Sequence, residues 1–600
     1  MSEVSVPPLV APTTEGSLAD YPAHWARTQP DRVMVSVREG DGWASVTAAE
    51  LHGRMERLAK GFVAAGIEPG DRVAIMSRTR LEWTLADFAL WMVGAVPVPV
   101  YETSSVEQVR TILHDSGAVA ILVEDSAMTA AVARVREQLP ALRDVWQIEA
   151  GALDELATAG TDVTDEALQG RQAAVRRSDL ATIIYTSGTT GEPRGCELTH
   201  DNFMSLAENA TERLTEVIRA PDAAMLLFLP LAHVFARFLQ VACVYAGARL
   251  GHTPDPRTVM EDLPGFRPTF LLSVPRVFEK IYNVSEQKAE AAGRGKIFRW
   301  AVRVADRYSR ALDSGGAGPG LRLQRRVADR LVFARLRAAM GGQVAYAISG
   351  GAALGERLGH FYRGIGLVVL EGYGLTETTA PATVNTPDMI RIGTVGRPLP
   401  GVSVRVAEDG EILLRGVNLF RGYHGDPDAT ARAMRDGWFH TGDLGELDAT
   451  GFLTITGRVK EILVTAGGKN VSPGPLEDRL RAHPLVSQCM VVGEGRPFVA
   501  ALITLDPEML TTWAANNGLE GLTPEEAAGH PQVLEELQRA VDSANESVSR
   551  AESIRSFHVL REDFTADNGL LTPSMKLKRS TIGELLHREI EELYARPRPH

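Results

Sequence analysis

The sequence predicts an α/β fold: a large N-terminal domain of mixed α/β sheets flanked by helices, a small β-rich subdomain, and a small α+β C-terminal domain. Three observations carry this expectation. Helical and strand-like apolar patterns alternate through the first part of the chain, the rhythm of helices layered on a sheet. Short strand-like runs broken by Gly and Asp crowd the stretch from about 390 to 457, and after Gly457 the pattern restarts with its own strand, helix and strand pair. At 600 residues the chain is longer than one growing core sustains, so at least two domains with a cleft between them are expected.

In chain order, Thr47 to Ala65 has the apolar spacing of a helix, Arg72–Met76 reads as a buried strand and Leu81–Val93 as a second helix. The strand Ala181–Tyr185 runs into the loop TSGTTGEPRG at 186–195. Cys196–Leu198 follows, then a helix from about Asp201 with Phe203, Leu206, Ala210, Leu214 and Val217 on one face. Residues 280–337 hold 14 Lys and Arg against five Asp and Glu, as two basic amphipathic helices around a Gly-rich break at Ser314–Gly320. Two readings stand for them: solvated helical faces, or a basic surface that meets anionic lipid headgroups. Strand-like runs at Gly393–Val406, Gly410–Arg415 and Phe452–Thr456 build the β-rich subdomain. Ile462–Thr465, a helix near Pro475–Ala482 and paired strands near Gln488–Gly493 and Phe498–Leu505 build the last domain.

Composition excludes several function classes. A net charge of -13 opposes the phosphate backbone of nucleic acid, so no nucleic-acid partner is expected and anionic ligands must meet local sites. The start of the chain lacks a basic segment followed by an apolar run. The stretch nearest to a membrane span, 86–101, contains Asp87, Pro97 and Pro99. The expected location is cytoplasmic, peripheral to the inner face of the membrane if the basic surface meets lipid. Three cysteines, 196, 243 and 489, are too few and too dispersed for a disulfide framework or a metal knuckle. Only eight of the 63 basic residues are lysines, which draws notice to each, because arginine's delocalised fork does not replace a compact ammonium.

The loop Thr186–Gly195 follows a strand and is dense in Gly and hydroxyl residues, so its N–H and O–H groups can close around phosphate oxygens. It lacks the spacing of a Walker P-loop. The stretch IIYTSGTTGEPRGCELTH at 183–200 resembles the signature of the adenylate-forming superfamily of acyl-CoA synthetases, luciferases and peptide-synthetase adenylation domains. Five more blocks follow in that family's order: LPLAHVFAR (229–237), ISGGAAL (348–354), EGYGLTETT (371–379), the run from WFHTGDL to SPGPLE (438–477), and LLTPSMKLKRS (570–580).

The resemblance implies an N-terminal adenylation domain, 1–457, holding the ATP and acyl pockets, and a mobile C-terminal domain, 458–600, that swings about Lys460. ATP, Mg2+ and coenzyme A are the implied co-substrates and cofactor. Thr186, Ser187, Gly188, Thr189, Thr190, Gly191 and Arg194 correspond to the phosphate loop, with Arg194 where the family carries Lys. Gly351, Tyr373 and Gly374 correspond to further ATP-binding positions, with Tyr373 stacking on the adenine. Thr376 is matched to the α-phosphate contact, Glu377 to the magnesium ligand, Asp443 to the ribose ligand and Arg458 to a contact with nucleotide oxygens. Lys576 corresponds to the tail lysine that stabilises charge on the α-phosphate, although Met575 stands where the family has Gly, and Lys578 competes for the role. His233 resembles the histidine beside the carboxylate, or else caps a strand end. Gly467, Gly468 and Lys469 resemble the pantetheine path. PTFLLSVPRVFEKIYN at 268–283 resembles long-chain fatty acyl-CoA synthetases. Two alternatives stay open: an acyl-AMP ligase that loads a carrier protein, and a non-catalytic nucleotide- or lipid-binding homologue.

Overall fold

A computed structural model describes residues 2–40, 42–186, 193–566, 568–572 and 575–595. Its first sheet forms where Val- and Ile-rich runs are apolar on both faces and must be covered on both. Val96–Val100, Arg72–Met76, Ala120–Val123 and Asp144–Gln147 lie side by side in that order, all parallel. Parallel pairing requires crossovers, here the helices Leu81–Met92, Val106–Ser116 and Ser126–Ala133. Leu81–Met92 is buried on every side, Trp83 and Trp91 included. The helix Ala48–Ala64 starts where Thr47 and Glu50 exchange side-chain and backbone hydrogen bonds in a capping box.

A second sheet orders Ala224–Leu227, Arg249–His252, Val33–Glu39 and Gly42–Thr47. A third orders Phe270–Ser273, Tyr346–Ser349, Val368–Leu375, Ala380–Val384 and Arg397–Pro398, parallel through the first three strands and antiparallel after them. Leu180–Thr186 and Arg194–Thr199 form a hairpin extended by Gly422–Tyr423.

The β-rich subdomain is a six-stranded sheet built on Val402–Val406, Glu411–Gly416, Trp438–Leu447 and Leu453–Arg458. Three of its strands are absent from the sequence expectation, the two-residue Met434–Arg435 among them. Trp438–Leu447 carries Gly and Asp that read as turn residues, and Ser2–Ser5 pairs antiparallel with Val402–Val406 from the far end of the chain. The basic region also differs from expectation. Its first half is two helices, Pro275–Ala291 and Gly295–Asp313, because Gly293 between them takes a left-handed φ of +67°. After the break come Pro319–Ala328, a π-helical turn Asp329–Phe333, and Ala334–Ala339.

The last part of the chain carries its own sheet, Val486–Val492, Val499–Leu505 and Ile554–Val559, covered by helices such as Gly474–Arg481 and Pro531–Asn545. Its two apolar clusters draw only on residues from Leu463 onward, while the three clusters of the preceding part end at Ile455. Among the described residues no helix is long and apolar enough to cross a membrane. All three cysteines are buried free thiols, and burial pushes each thiol up, which leaves them unreactive.

Candidate active site

The site begins where Val368–Leu375 ends. Gly374 admits no side chain, since a Cβ there would stand 1.8 Å from the Ala380 carbonyl oxygen. The chain then reverses through Thr376–Thr378, with Thr379 and Ala380 held at φ +55° and +99°, a backbone strain that such turns retain only when fixed by neighbours. The fixing is visible. The Leu375 N–H donates to the Thr378 hydroxyl at 2.8 Å, and the Thr379 hydroxyl donates to the carbonyl of buried Asn418 at 2.8 Å. The turn presents Thr376 and Glu377, and the Tyr423 hydroxyl donates to Glu377 Oε1 at 2.9 Å.

Asp443 and Arg458 face each other across the paired strands Trp438–Leu447 and Leu453–Arg458. Arg458 Nε donates to Asp443 Oδ1 at 2.6 Å, and the Tyr373 hydroxyl donates to Oδ2 at 2.7 Å. A carboxylate has about four lone-pair sites, so this buried one keeps acceptor capacity for further donors. Lys576 enters from the other domain on a turn closed by a Thr572 N–H to Lys576 carbonyl bond at 2.8 Å and by the bridge Leu571–Leu577. Met575 takes a left-handed φ of +62° there, which accounts physically for glycine at the matching position of the resembled motif. Lys576 is open to solvent in the cleft yet ringed by protein. Desolvation lowers its ammonium below the ordinary lysine range, Arg458 pushes the same way, and Asp443, Glu377 and Glu461 oppose. Lys578 instead heads the helix Arg579–Leu585.

His233 caps the helix Val234–Ala246, its Nδ1 accepting from the Phe235 N–H at 3.2 Å. Burial, reinforced by the Lys576 charge, pushes it down to about 4, so the ring is neutral near pH 7 with its proton on Nε2. One turn along, Arg237 anchors this helix. It donates to Asp87 Oδ2 at 2.9 Å and to the Thr182 hydroxyl at 2.6 Å, both Arg237 and Asp87 being fully buried. Burial still pushes the Asp87 carboxyl up to about 6, against the pull of Arg237.

Of the phosphate loop, Ser187, Gly188, Thr189, Thr190 and Gly191 lie outside the described residues. Thr186 ends one strand of the hairpin, and Arg194 begins the other, 4.0 Å from Asp426 and over the Tyr423 ring. Gly351 has φ +86° with open space where a Cβ would point. Lys460 is exposed in the turn Val459–Glu461 between the two sets of cores. Gly467, Gly468 and Lys469 join the strands Leu463–Val464 and Asn470–Val471, and Lys469 pairs with Glu552. These contacts stay within the C-terminal part and apart from the Lys576 cluster. Sequence reading missed Tyr423, Glu461, Asp87 and Arg237 as members of the site or its support. A buried Asp–Arg pair 150 positions apart leaves no local signal, although an ionisable residue inside the apolar run 86–101 was one. Among the described residues no three His, Cys, Asp or Glu side chains converge as a metal cage. Glu377, half-buried and with Oε1 accepting from Tyr423, suits a hard cation that keeps waters and shares phosphate oxygens, as Mg2+ does.

Residues 22–424 match the model of a family described as AMP-binding enzyme, and 460–598 that of the AMP-binding enzyme C-terminal domain. The chain is 48% identical to the long-chain-fatty-acid–CoA ligase FadD15 of Mycobacterium bovis, over 99% of this chain and all of that protein. It is 30% identical to the long-chain-fatty-acid–CoA ligase ACSBG2 of Xenopus laevis, over 94% of this chain and 82% of that one. Among solved structures, an adenylation domain of carboxylic acid reductase from Segniliparus rugosus, in complex with AMP and a co-purified carboxylic acid, superposes with a TM-score of 0.74 at 21% identity, covering 96% of this chain and 94% of that one. The anthranilate CoA ligase AuaEII in complex with anthranoyl-AMP gives 0.73 at 18% identity, covering 96% and 98%. These structures share the fold.

Proposed function

Because the chain belongs to the AMP-binding enzyme family, we propose that it is an ATP-dependent, AMP-forming long-chain fatty-acid–CoA ligase. The full-length likeness to the mycobacterial ligases supports the substrate class. In the first step a carboxylate oxygen of the fatty acid attacks the α-phosphorus of ATP. The bond to the bridging oxygen breaks, and pyrophosphate leaves with the electron pair. In the second, the sulfur of coenzyme A attacks the acyl carbon, the acyl–oxygen bond breaks, AMP leaves and the thiol proton is released.

The observation that carries this reading is the arrival of Lys576 from the C-terminal part at the Asp443, Arg458 and Glu377 cluster. An ammonium held there stabilises negative charge as it grows on the α-phosphate. Thr376 contacts the same phosphate, Tyr373 and Gly374 with Gly351 border the adenine, and Asp443 uses its free lone pairs on the ribose hydroxyls. Arg458 reaches nucleotide oxygens, and the loop from Thr186 to Gly191 with Arg194 takes the outer phosphates. Glu377 would hold Mg2+, whose charge offsets that of the phosphate oxygens when it is bound. His233, neutral, offers an N–H to the substrate carboxylate.

We also propose the division into an adenylation domain, 1–457, and a C-terminal domain, 458–600. The separation of their apolar cores supports it. A swing at Lys460 would withdraw Lys576 and bring Gly467, Gly468 and Lys469 to the pantetheine path for the second step. Peripheral contact of the 280–337 region with a membrane belongs to the same proposal.

The test is release of AMP and pyrophosphate from ATP and Mg2+ with acids from acetate to palmitate, each with and without CoA. Sustained release that needs both a long-chain acid and CoA is expected. Lys576→Ala is expected to slow adenylation by about 10²- to 10³-fold while ATP still binds. Acyl-AMP that never passes to CoA would indicate a carrier-loading ligase instead, and absence of nucleotide chemistry would overturn the reading.

A further inference from the structure

Eleven large apolar side chains are exposed among the described residues, and five of them, Ile297, Leu312, Leu323, Val327 and Leu331, fall between 297 and 331. Three of the five form a line. Leu323, Val327 and Leu331 are spaced four apart along Pro319–Ala328 and the π-helical turn Asp329–Phe333, at 61%, 46% and 47% exposure. That spacing sets them above one another on one helical face. The opposite side is the one that packs. Ala328 and Phe333 are fully buried, with Leu321 and Leu336 partly buried against the same cluster.

The arginines of this segment divide in two. Arg325 donates to the Gly364 carbonyl at 3.0 Å and lies over the Tyr308 ring, and Arg337 pairs with Asp329 of its own segment and donates to the Ile365 carbonyl at 2.6 Å. Those two fix the helix to the body. Arg322, Arg326, Arg330 and Arg335 are exposed, and no described carboxylate pairs with any of them. Arg322, Arg326 and Arg330 each precede a member of the apolar line by one residue, so a basic row runs beside it along the solvent face. A solvated helical face has no need of an apolar line. A protein of net charge -13 that gathers unpaired arginines here sets this face against the sign of its own surface.

We propose that this face docks on an anionic lipid surface, with Leu323, Val327 and Leu331 entering the headgroup layer and Arg322, Arg326 and Arg330 meeting lipid phosphates. Charge complementarity selects the occupant: an anionic lipid surface offers phosphates to the whole arginine row, whereas a second copy docked through the same face would set arginine against arginine. The contact deepens the peripheral membrane association proposed above and involves no step of the reaction. Vesicle binding is read without substrate, so the two readings fail separately.

The experiment is co-sedimentation of the full chain with phosphatidylglycerol-containing vesicles and with pure phosphatidylcholine vesicles, at low and high salt. The parent is expected to bind the anionic vesicles, and to bind them less at high salt. The triple variant R322Q/R326Q/R330Q is expected to lose on the order of a hundredfold in affinity for them. L323Q/V327Q/L331Q is expected to lose at least about tenfold and keep its salt dependence. All these residues are exposed, so thermal unfolding and turnover on dispersed substrate serve as controls expected to stay unchanged. Absence of parent binding, equal binding by both variants, or no preference for anionic vesicles would overturn the proposal. So would self-association abolished by the apolar variant in sedimentation velocity without any vesicle binding, which would assign the face to a second copy.

Discussion

Two residues before Tyr373 on the same strand, Glu371 is 7% exposed, and the described partner of its carboxylate is the Leu354 N–H at 2.9 Å. Burial pushes its carboxyl up from 4.5 to about 7, and the charge of Asp478 across the domain junction adds to the effect. A carboxyl that titrates higher in the fold than in the unfolded chain holds its proton more tightly in the fold. Its contribution to stability is present at acid pH and is lost as pH rises from 4.5 through about 7. Glu371→Gln keeps the oxygen that accepts from Leu354 and does not ionise. The variant is expected to match the parent near pH 4 and to exceed it near pH 8 by up to about 3 kcal/mol. Denaturant unfolding of both proteins at the two pH values checks this, and a difference independent of pH would refute it. Little of this was legible in the sequence. Lys576, Asp443, Arg458 and Glu377 stood out because each holds a position in a recurring block that is matched to a role, whereas Glu371, which opens one of those blocks without a matched role, and Tyr423, outside them, acquire theirs from tertiary burial and from contact with residues distant in the chain.

At the scale of single elements, the turn that delivers Lys576 stores a specific strain. Met575 holds φ +62°, where a residue with a Cβ pays roughly 1 kcal/mol relative to glycine. Met575→Gly removes that cost from the arrangement in which Lys576 feels the charges of Asp443 and Arg458, so adenylation is expected to quicken by about two- to fivefold. Met575→Val, β-branched, is expected to slow it. Rates of acid-dependent pyrophosphate exchange decide, and equal rates for the two variants would mean that the turn forms elsewhere in the cycle. Elements of regular pattern were legible beforehand: Arg72–Met76 agrees residue for residue, and Ala48–Ala64 differs by one at each end from the expected helix. Trp438–Leu447 was hidden because its Gly442, Asp443 and Gly445 resemble a turn in sequence. They are tolerated in a strand because Arg458 satisfies Asp443 and the backbone shifts register between Leu444 and Gly445.

Across the whole molecule, the helix Pro275–Ala291 holds the C-terminal domain by charge. Arg276 donates to the Arg481 carbonyl at 3.2 Å and to Asp506 at 3.1 Å, and Lys280 meets Glu508 at 2.7 Å. These contacts belong to the arrangement that brings Lys576 to the cleft. Partly exposed pairs are worth up to about 1 kcal/mol. Arg276→Ala is therefore expected to slow adenylation by up to about fivefold, and to leave transfer from preformed acyl-AMP to CoA equal or faster. Single-turnover measurement of the two half-reactions tests this, and equal slowing of both would sink the idea of a state-specific latch. The same global view bears on how the chain is made. Ser2–Ser5 lies in register with Val402–Val406, and Ser5 bonds Ser403 across 398 positions of sequence. A ribosome adding about 5–20 residues per second leaves that strand without its neighbour for roughly 20–80 s. A strand made so long before its neighbour waits unpaired, and a nascent chain must keep its open hydrogen-bonding edge out of reach of its neighbours on the same message until that partner arrives.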